Sequence, residues 1–430
     1  MSDVTKKRIR IEKFDTKPQN IALVFVDLPD SDKASDIAEL EGLCSTANAK
    51  IVLFAEQKRN GVDPQNVIGI GKLDEIKQTI ELLDEDKTPD LVLFNINLSA
   101  AQRAVLEKKF DIPVIDRIDL ILDIFAMRAT TAEGKTQVEL AQLSYNLATR
   151  PDNSKLSRQG GGIGTRGPGE TKLETSKRAI RERMYKLREQ LKQIAAHRQL
   201  TRKRRTDNSA FVVAIVGYTN AGKSTLFNRL CSQQVYADDK LFATLDTTVR
   251  RATIDNMPLL FIDTVGFINN LPHQLVDAFK STLEETTYAD LVLHVLDVSD
   301  KNLDMHAAVT EGILADFRVS APIVRVYNKC DLPHPYFSGE EQLGGLFVSA
   351  KSGDGIDKLC GIVATFLKNC YANVKLLVPY ADYGKVMSDL SAVGASYTQP
   401  DVDGEHLDGI CLNVVVKRKY LDGFLKYVVL

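Results

Sequence analysis

One segment restricts the possible folds more than any other. The apolar run FVVAIVG at 211–217 leads straight into Gly217-Tyr218-Thr219-Asn220-Ala221-Gly222-Lys223-Ser224-Thr225, and LFNRLC continues with helical character. A strand, a glycine-bearing turn and a helix in that order make a phosphate cradle. Glycines let the backbone curl around the anion, and the exposed N–H groups and helix N-terminus supply positive potential. Lys223 then reaches the outer phosphates, and the Ser224 hydroxyl is placed to ligate magnesium. With glycine at about 7% of residues, this pattern arises by accident in roughly one or two chains in a hundred of this length. The flanking strand and helix lower that further.

Two more motifs follow in the order such a cradle requires. The apolar run LLFI delivers Asp263-Thr264-Val265-Gly266-Phe267, with Asp263 placed 46 residues after Gly217. There the carboxylate can hold magnesium through water, and the Gly266 N–H can sense a γ-phosphate. The run PIVRVY then ends in Asn328-Lys329-Cys330-Asp331. Asp331 can accept both the ring N–H and the exocyclic amine of guanine. Adenine lacks that donor pair and would leave buried polar groups unpaired, at a cost of about 1–3 kcal/mol each. Lys329 can lie along the base and Asn328 can tie this loop to the cradle. Ser349-Ala350-Lys351 follows LGGLFV, which puts the Ala350 N–H within reach of the guanine carbonyl. The expected ligands are therefore GTP and GDP with Mg2+.

Between cradle and sensor, LFATLDTTVRRA must contain the threonine that meets metal and γ-phosphate, and Thr244, Thr247 and Thr248 all qualify by spacing. Phe267 stands where many small GTPases carry a glutamine that orients the attacking water. A phenyl ring neither donates nor accepts such bonds, so hydrolysis by the chain alone is expected to be slow.

At 430 residues the chain is too long for one ordinary core. From Asn20, apolar runs (IALVFVDLP, KIVLFAEQ, DLVLFNINL, IPVID) alternate with helix-like stretches, which predicts an α/β domain with parallel strands over 1–116. Gly69-Ile70-Gly71-Lys72 within it reads as a turn, because it lacks the rest of either nucleotide fingerprint. Residues 117–208 read as a helical pair. Leu173, Ile180, Met184, Leu187, Leu191 and Ile194 form a narrow apolar seam that needs a partner helix, and RQGGGIGTRGPGETK at 158–172 must be a loop at the tip. Residues 209–370 form the P-loop domain with a doubly wound sheet. Residues 371–430 form a small α+β unit whose role the sequence leaves unread.

The net charge of −2 conceals an asymmetry: Ser154 to Arg205 carries 16 Lys and Arg against 4 Glu, a local +12. Such a stripe attracts polyanions by counterion release, which points to nucleic acid, with Arg158, Arg166 and Lys172 of the glycine-rich loop as candidate RNA contacts. No apolar run approaches the roughly 18 residues of a membrane span, and the basic start lacks a signal-peptide core, so a cytoplasmic monomer with no membrane insertion is expected. The six cysteines show no metal-ligand spacing.

GYTNAGKSTLFN, LFATLD, DTVGFI, LPHQLVDAFKSTLEE and the loop RQGGGIGTRGPGETKLET together resemble the HflX family within the Obg-HflX group of GTPases, over nearly the whole chain. In that family FATL carries the switch threonine. The resemblance therefore implies Thr244 as the second protein ligand of Mg2+, with Phe242, Ala243, Leu245 and Asp246 around the nucleotide and Lys223, Thr244 and Gly266 serving hydrolysis. Thr247 departs from the proline of many relatives. The resemblance further implies a partner, the large ribosomal subunit and its RNA, and an outcome, the splitting of stalled or idle ribosomes. ATP is also associated with the family. Two readings compete: a nucleotide-gated RNA-binding scaffold whose hydrolysis is incidental, and an ATPase with helicase-like action through the N-terminal domain, which Asp331 argues against for the central site.

Overall fold

Strand-forming runs separated by helices of 11–14 residues leave parallel pairing as the short-loop solution, and the first domain of this computed structural model takes it. The structure describes residues 18–29, 32–149, 168–207, 211–231, 248–255, 257–267, 284–333, 345–398, 405–406 and 409–429. Strands β1 (Gln19–Asp27), β2 (Ala49–Lys58), β3 (Leu91–Phe94) and β4 (Val114–Asp116) form a parallel sheet in the order β2-β1-β3-β4. Helices α1 (Lys33–Thr46), α2 (Ile70–Glu81) and α3 (Ala100–Phe110) alternate with them. Ala22, Val24 and Val26 of β1 pack with Val92, Phe94, Leu73, Ile76 and Leu106 in one core. Each fully buried large aliphatic or aromatic side chain there contributes about 1.5–3 kcal/mol.

The Gly69-Ile70-Gly71-Lys72 segment is the entry to α2. Gly69 is its N-cap, the Gly69 N–H donates to Gln57 Oε1 at 2.8 Å, and Lys72 pairs with Glu75. At the carboxyl ends of β1 and β3, Asn95 accepts from the Val26 N–H at 2.8 Å and donates to the Val26 carbonyl at 3.1 Å, which fastens the two strand ends together. Asp116 is fully buried. It accepts from the N–H groups of Leu98, Ile118 and Asp119, from the Tyr145 hydroxyl at 2.6 Å and from Arg103, so its charge is compensated and its role is to anchor helix α4 (Arg117–Arg128).

Helix α5 (Ala132–Thr149) and the long α6 (Pro168–Asp207) make the helical pair. Along α6, Met184 and Leu187 are buried while Ile180, Leu191 and Ile194 are half-buried, as the seam requires. Arg183 Nε and Nη2 donate to the two carboxylate oxygens of Glu139 at 2.7 and 2.8 Å, which sets α6 beside α5. The glycine-rich stretch up to 167, with Arg158 and Arg166, lies outside the described residues. Lys172 falls within α6 but its side chain does not belong to them.

The nucleotide domain has the six-stranded order β10-β9-β8-β5-β7-β6. It comprises β5 (Phe211–Gly217), β6 (Thr248–Ile254), β7 (Met257–Asp263), β8 (Leu291–Asp297), β9 (Ile323–Asn328) and β10 (Leu346–Phe347), all parallel except that β6 runs against β7. The strands β7 and β8 flank β5, so the chain reverses its direction of progress across the sheet at β5, and open sheets bind ligands at the carboxyl ends beside such a reversal. Helices α7 (Lys223–Leu230), α8 (Leu303–Asp316) and α9 (Ile356–Cys370) complete the part that positions the site.

The unit after α9 has a recognisable topology. Strands β11 (Tyr371–Pro379), β12 (Ser396–Thr398), β14 (Gly409–Lys417) and β15 (Val428–Val429) pair antiparallel in the order β12-β14-β11-β15, with the short β13 (Glu405–His406) on β14. Helix α10 (Tyr383–Ala392) and the 3-10 segment Arg418–Tyr427 are the crossovers, which makes it a ferredoxin-like split βαβ arrangement. Lys417 of β14 is buried and pairs at 2.7 Å with Asp290, whose carboxylate also accepts from the Val212 N–H of β5. Among the described residues no helix is long and apolar enough to cross a membrane.

Candidate nucleotide site

The cradle begins where β5 runs out. Gly217 has φ +153°, and a Cβ there would lie 2.2 Å from the Val295 carbonyl oxygen. Gly222 has φ +87°, and a Cβ there would meet Asn328 Nδ2 at 2.2 Å. Both positions therefore exclude any side chain, for steric as well as conformational reasons. Asn220 also takes a left-handed conformation, φ +62°, so the chain turns tightly before α7. Lys223 is buried, and its ammonium donates to the Tyr218 carbonyl at 2.7 Å. Burial pulls its pKa down to about 8, Asp263 opposes that shift and Lys329 adds to it. A dense anion in the cradle removes this penalty, which is the electrostatic case for phosphate there.

Ser224 and Asp263 are brought together from α7 and β7: the Ser224 hydroxyl donates to Asp263 Oδ2 at 2.9 Å. Two hard oxygen donors at the end of a strand and the start of a helix fit a magnesium ion. Asp263 is held by its strand, and the next residue, Thr264, donates its hydroxyl to the Ile215 carbonyl at 2.8 Å. Gly266 sits against the cradle, where a Cβ would come within 2.8 Å of Thr219 Cγ2 and 2.9 Å of Lys223 Nζ. Sensor and cradle are laced by backbone: the Thr219 N–H donates to the Phe267 carbonyl at 2.7 Å and the Phe267 N–H to the Gly217 carbonyl at 3.1 Å. Val265 and Phe267 are buried.

At the base end, Asn328 Nδ2 donates to the Ala221 carbonyl at 2.8 Å, and Asn328 Oδ1 accepts from the Ala350 N–H at 2.9 Å. One amide thus ties the cradle to both guanine loops. The Ala350 N–H, read from the sequence as a guanine contact, is engaged by Asn328 here. The Ser349 hydroxyl donates to Asp331 Oδ1 at 2.6 Å and orients that carboxylate. Cys330 enters through its backbone, its N–H donating to the Val348 carbonyl. Thr225 continues α7, and Phe242, Ala243, Thr244, Leu245 and Asp246 lie outside the described residues.

Several participants escaped the sequence reading. Arg229, on the exposed side of α7, donates through Nε to the Ala350 carbonyl at 3.2 Å and through Nη2 to the Lys351 carbonyl at 2.6 Å, bracing the loop that follows β10. Asp297 ends β8 and pairs with Lys329 Nζ at 2.7 Å, holding the lysine in its left-handed backbone geometry. An acid closing the apolar run LVLHVLD, as Asp263 closes LLFID, is the signal that could have revealed it. His306 of α8 stacks on Tyr218 at 3.6 Å between ring centroids and pairs with Asp300 at 2.9 Å; nothing in its spacing marks it.

A strand-to-helix phosphate cradle, an acid and glycine sensor on the adjoining strand and a guanine-reading loop at the next strand end define a P-loop GTPase. Family models described as GTP-binding GTPase N-terminal, GTP-binding GTPase Middle Region and 50S ribosome-binding GTPase match residues 34–126, 128–205 and 212–329. The chain is 44% identical over 367 residues to the GTPase HflX of Caldanaerobacter subterraneus subsp. tengcongensis, covering 85% of this chain and 84% of that protein. It is 39% identical over 377 residues to the GTPase HflX of Escherichia coli strain K12, covering 86% and 87%. The solved complex of SsGBP with GDP matches with a TM-score of 0.50 at 25% identity, covering 81% of this chain and 98% of that one. The chain belongs to the HflX family of GTPases.

Proposed function

We propose that this GTPase acts on the large ribosomal subunit: GTP arms it to grip the subunit and split stalled or idle ribosomes, and hydrolysis releases it. The observation that carries the reading is the +12 stretch from Ser154 to Arg205, most of it on the long helix α6, in the same chain as a complete nucleotide switch. The match to a family described as 50S ribosome-binding GTPase supports the same partner. ATP is assigned no site.

In the nucleotide site, the cradle N–H groups and Lys223 bind the β- and γ-phosphates. Ser224 and, through water, Asp263 would hold Mg2+, which would neutralise phosphate charge, and Thr244 would join them on the family pattern. Gly266 reports the γ-phosphate to the sensor segment, while Asp331, oriented by Ser349, selects guanine. Phe267 offers water no hydrogen bond, so turnover is slow alone and rises when the ribosome orders the switches.

Gradient sedimentation of intact ribosomes with the protein and GTP tests partner and outcome together. The expected result is conversion to subunits with GTP or a non-hydrolysable analogue and not with GDP. Intact ribosomes under all conditions, or co-sedimentation indifferent to the nucleotide, would refute it. Replacing Arg158, Arg166 and Lys172 by alanine is expected to weaken splitting and leave nucleotide affinity intact. A scaffold with incidental hydrolysis would bind RNA in a nucleotide-dependent way but show no ribosome-stimulated turnover.

A further inference from the structure

One hydroxyl in the cradle stands apart. Thr219 is only 6% exposed, and its Oγ1 makes no hydrogen bond among the described residues. An unsatisfied buried hydroxyl costs on the order of 1–3 kcal/mol, and natural proteins keep such a group where a ligand satisfies it. Its neighbours identify that ligand. A Cβ built on Gly266 would lie 2.8 Å from Thr219 Cγ2, 2.9 Å from Lys223 Nζ and 3.0 Å from Thr219 Cα, so the threonine's methyl borders the same small space as the phosphate-binding lysine and the γ-phosphate sensor, and one step about χ1 brings the hydroxyl of the same Cβ there. The backbone is fixed there, since the Thr219 N–H is held by the Phe267 carbonyl at 2.7 Å. The branched Cβ restricts the side chain to few rotamers, which limits the entropy lost on engaging a ligand.

We propose that Thr219 is a catalytic residue of GTP hydrolysis, its hydroxyl holding the attacking water where Phe267 cannot. This rests on the nucleotide reading above. The hydroxyl accepts a hydrogen bond from the water and donates one to a γ-phosphate oxygen, for which it has one donor and two acceptor sites. The water oxygen forms a bond to the γ-phosphorus as the bond from that phosphorus to the β–γ bridging oxygen breaks. GDP departs with the electron pair, one of the two water protons passes to another oxygen of the inorganic phosphate formed, and threonine is unchanged at the end.

The test compares Thr219→Val, which keeps the branched shape without the hydroxyl, with Thr219→Ser, which keeps the hydroxyl. Three quantities are read: single-turnover GTP hydrolysis without ribosomes, GDP affinity by fluorescent-nucleotide displacement, and thermal stability of the nucleotide-free protein. For Thr219→Val, hydrolysis falls by about tenfold or more, equivalent to about 1.4 kcal/mol of barrier. GDP affinity stays within about twofold and the melting temperature holds or rises, because replacing an unpaired hydroxyl by a methyl removes a desolvation cost. Thr219→Ser retains most of the rate. Stability and rate moving in opposite directions is what a packing role does not produce. A Thr219→Val rate equal to wild type, a serine variant as slow as the valine one, or parallel losses of rate, GDP affinity and stability would each overturn the proposal. A wild-type chain that binds no guanine nucleotide would instead overturn the nucleotide reading.

Discussion

Removing Arg229 should loosen guanine binding without unfolding the domain. The guanidinium makes two bonds, 3.2 Å to the Ala350 carbonyl and 2.6 Å to the Lys351 carbonyl, and it lies 3.4 Å from the position a Cβ would take on Gly353, where φ is +102°. Charged hydrogen bonds contribute about 1.5–3 kcal/mol when buried, but Arg229 is exposed and solvent screens it, so on the order of 0.5–1 kcal/mol per bond is realistic. The total of about 1–2 kcal/mol is the order held in the loop before the base arrives. In Arg229→Ala this ordering must be supplied on binding, and GDP affinity should weaken roughly 5- to 30-fold. Arg229→Lys keeps the charge but not the fork and should be intermediate. Competition against a fluorescent guanine nucleotide measures the effect, with thermal melting as the control. The reasoning is refuted if Arg229→Ala binds GDP within twofold of wild type, or if the melting temperature collapses together with affinity.

Three further outcomes are expected. Gly222→Ala adds a methyl 2.2 Å from Asn328 Nδ2 at φ +87°, so it should abolish GDP binding and lower the melting temperature by several degrees; wild-type affinity would show that the turn relaxes freely. His294 is fully buried in β8, and burial, with Arg325 adding to it and Glu311 opposing, pushes its pKa down to about 4 from an ordinary 6.5. The unfolded chain therefore binds a proton that the native one refuses, and stability falls as pH drops from about 6.5 towards 4, by roughly 3 kcal/mol at about 1.4 kcal/mol per unit. Urea melts across that range should show this slope and its reduction in His294→Gln, and an unchanged slope would exclude His294 as its source. Asp331→Asn replaces an acceptor by a donor towards the base, so preference should move from guanosine to xanthosine diphosphate in competition binding, and unaltered guanine preference would remove Asp331 from recognition.

The parts legible in the sequence are those that short-range chemistry specifies. Gly217 to Thr225 is readable because a phosphate cradle needs consecutive residues: glycines where a Cβ would strike Val295 or Asn328, and a lysine and a serine opening the helix. The seam on α6 is readable because helical periodicity puts Ile180, Met184 and Leu187 on one face. The ferredoxin-like order β12-β14-β11-β15 was not, because strand order depends on which edges meet rather than on the pattern within each strand, and one crossover is a 3-10 segment with little helical signature.

Motif chemistry thus establishes guanine nucleotide binding from contiguous residues, since each motif sits on one strand end and its donors follow one another along the chain. Folding alone joins Arg229 to Ala350 and Lys351, 121 and 122 residues away, sets Asp297 on Lys329, stacks His306 on Tyr218, and leaves the Thr219 hydroxyl buried with its methyl against Gly266. Those contacts cross between separate strands and helices. Their distances depend on sheet order and helix packing, which no local pattern encodes.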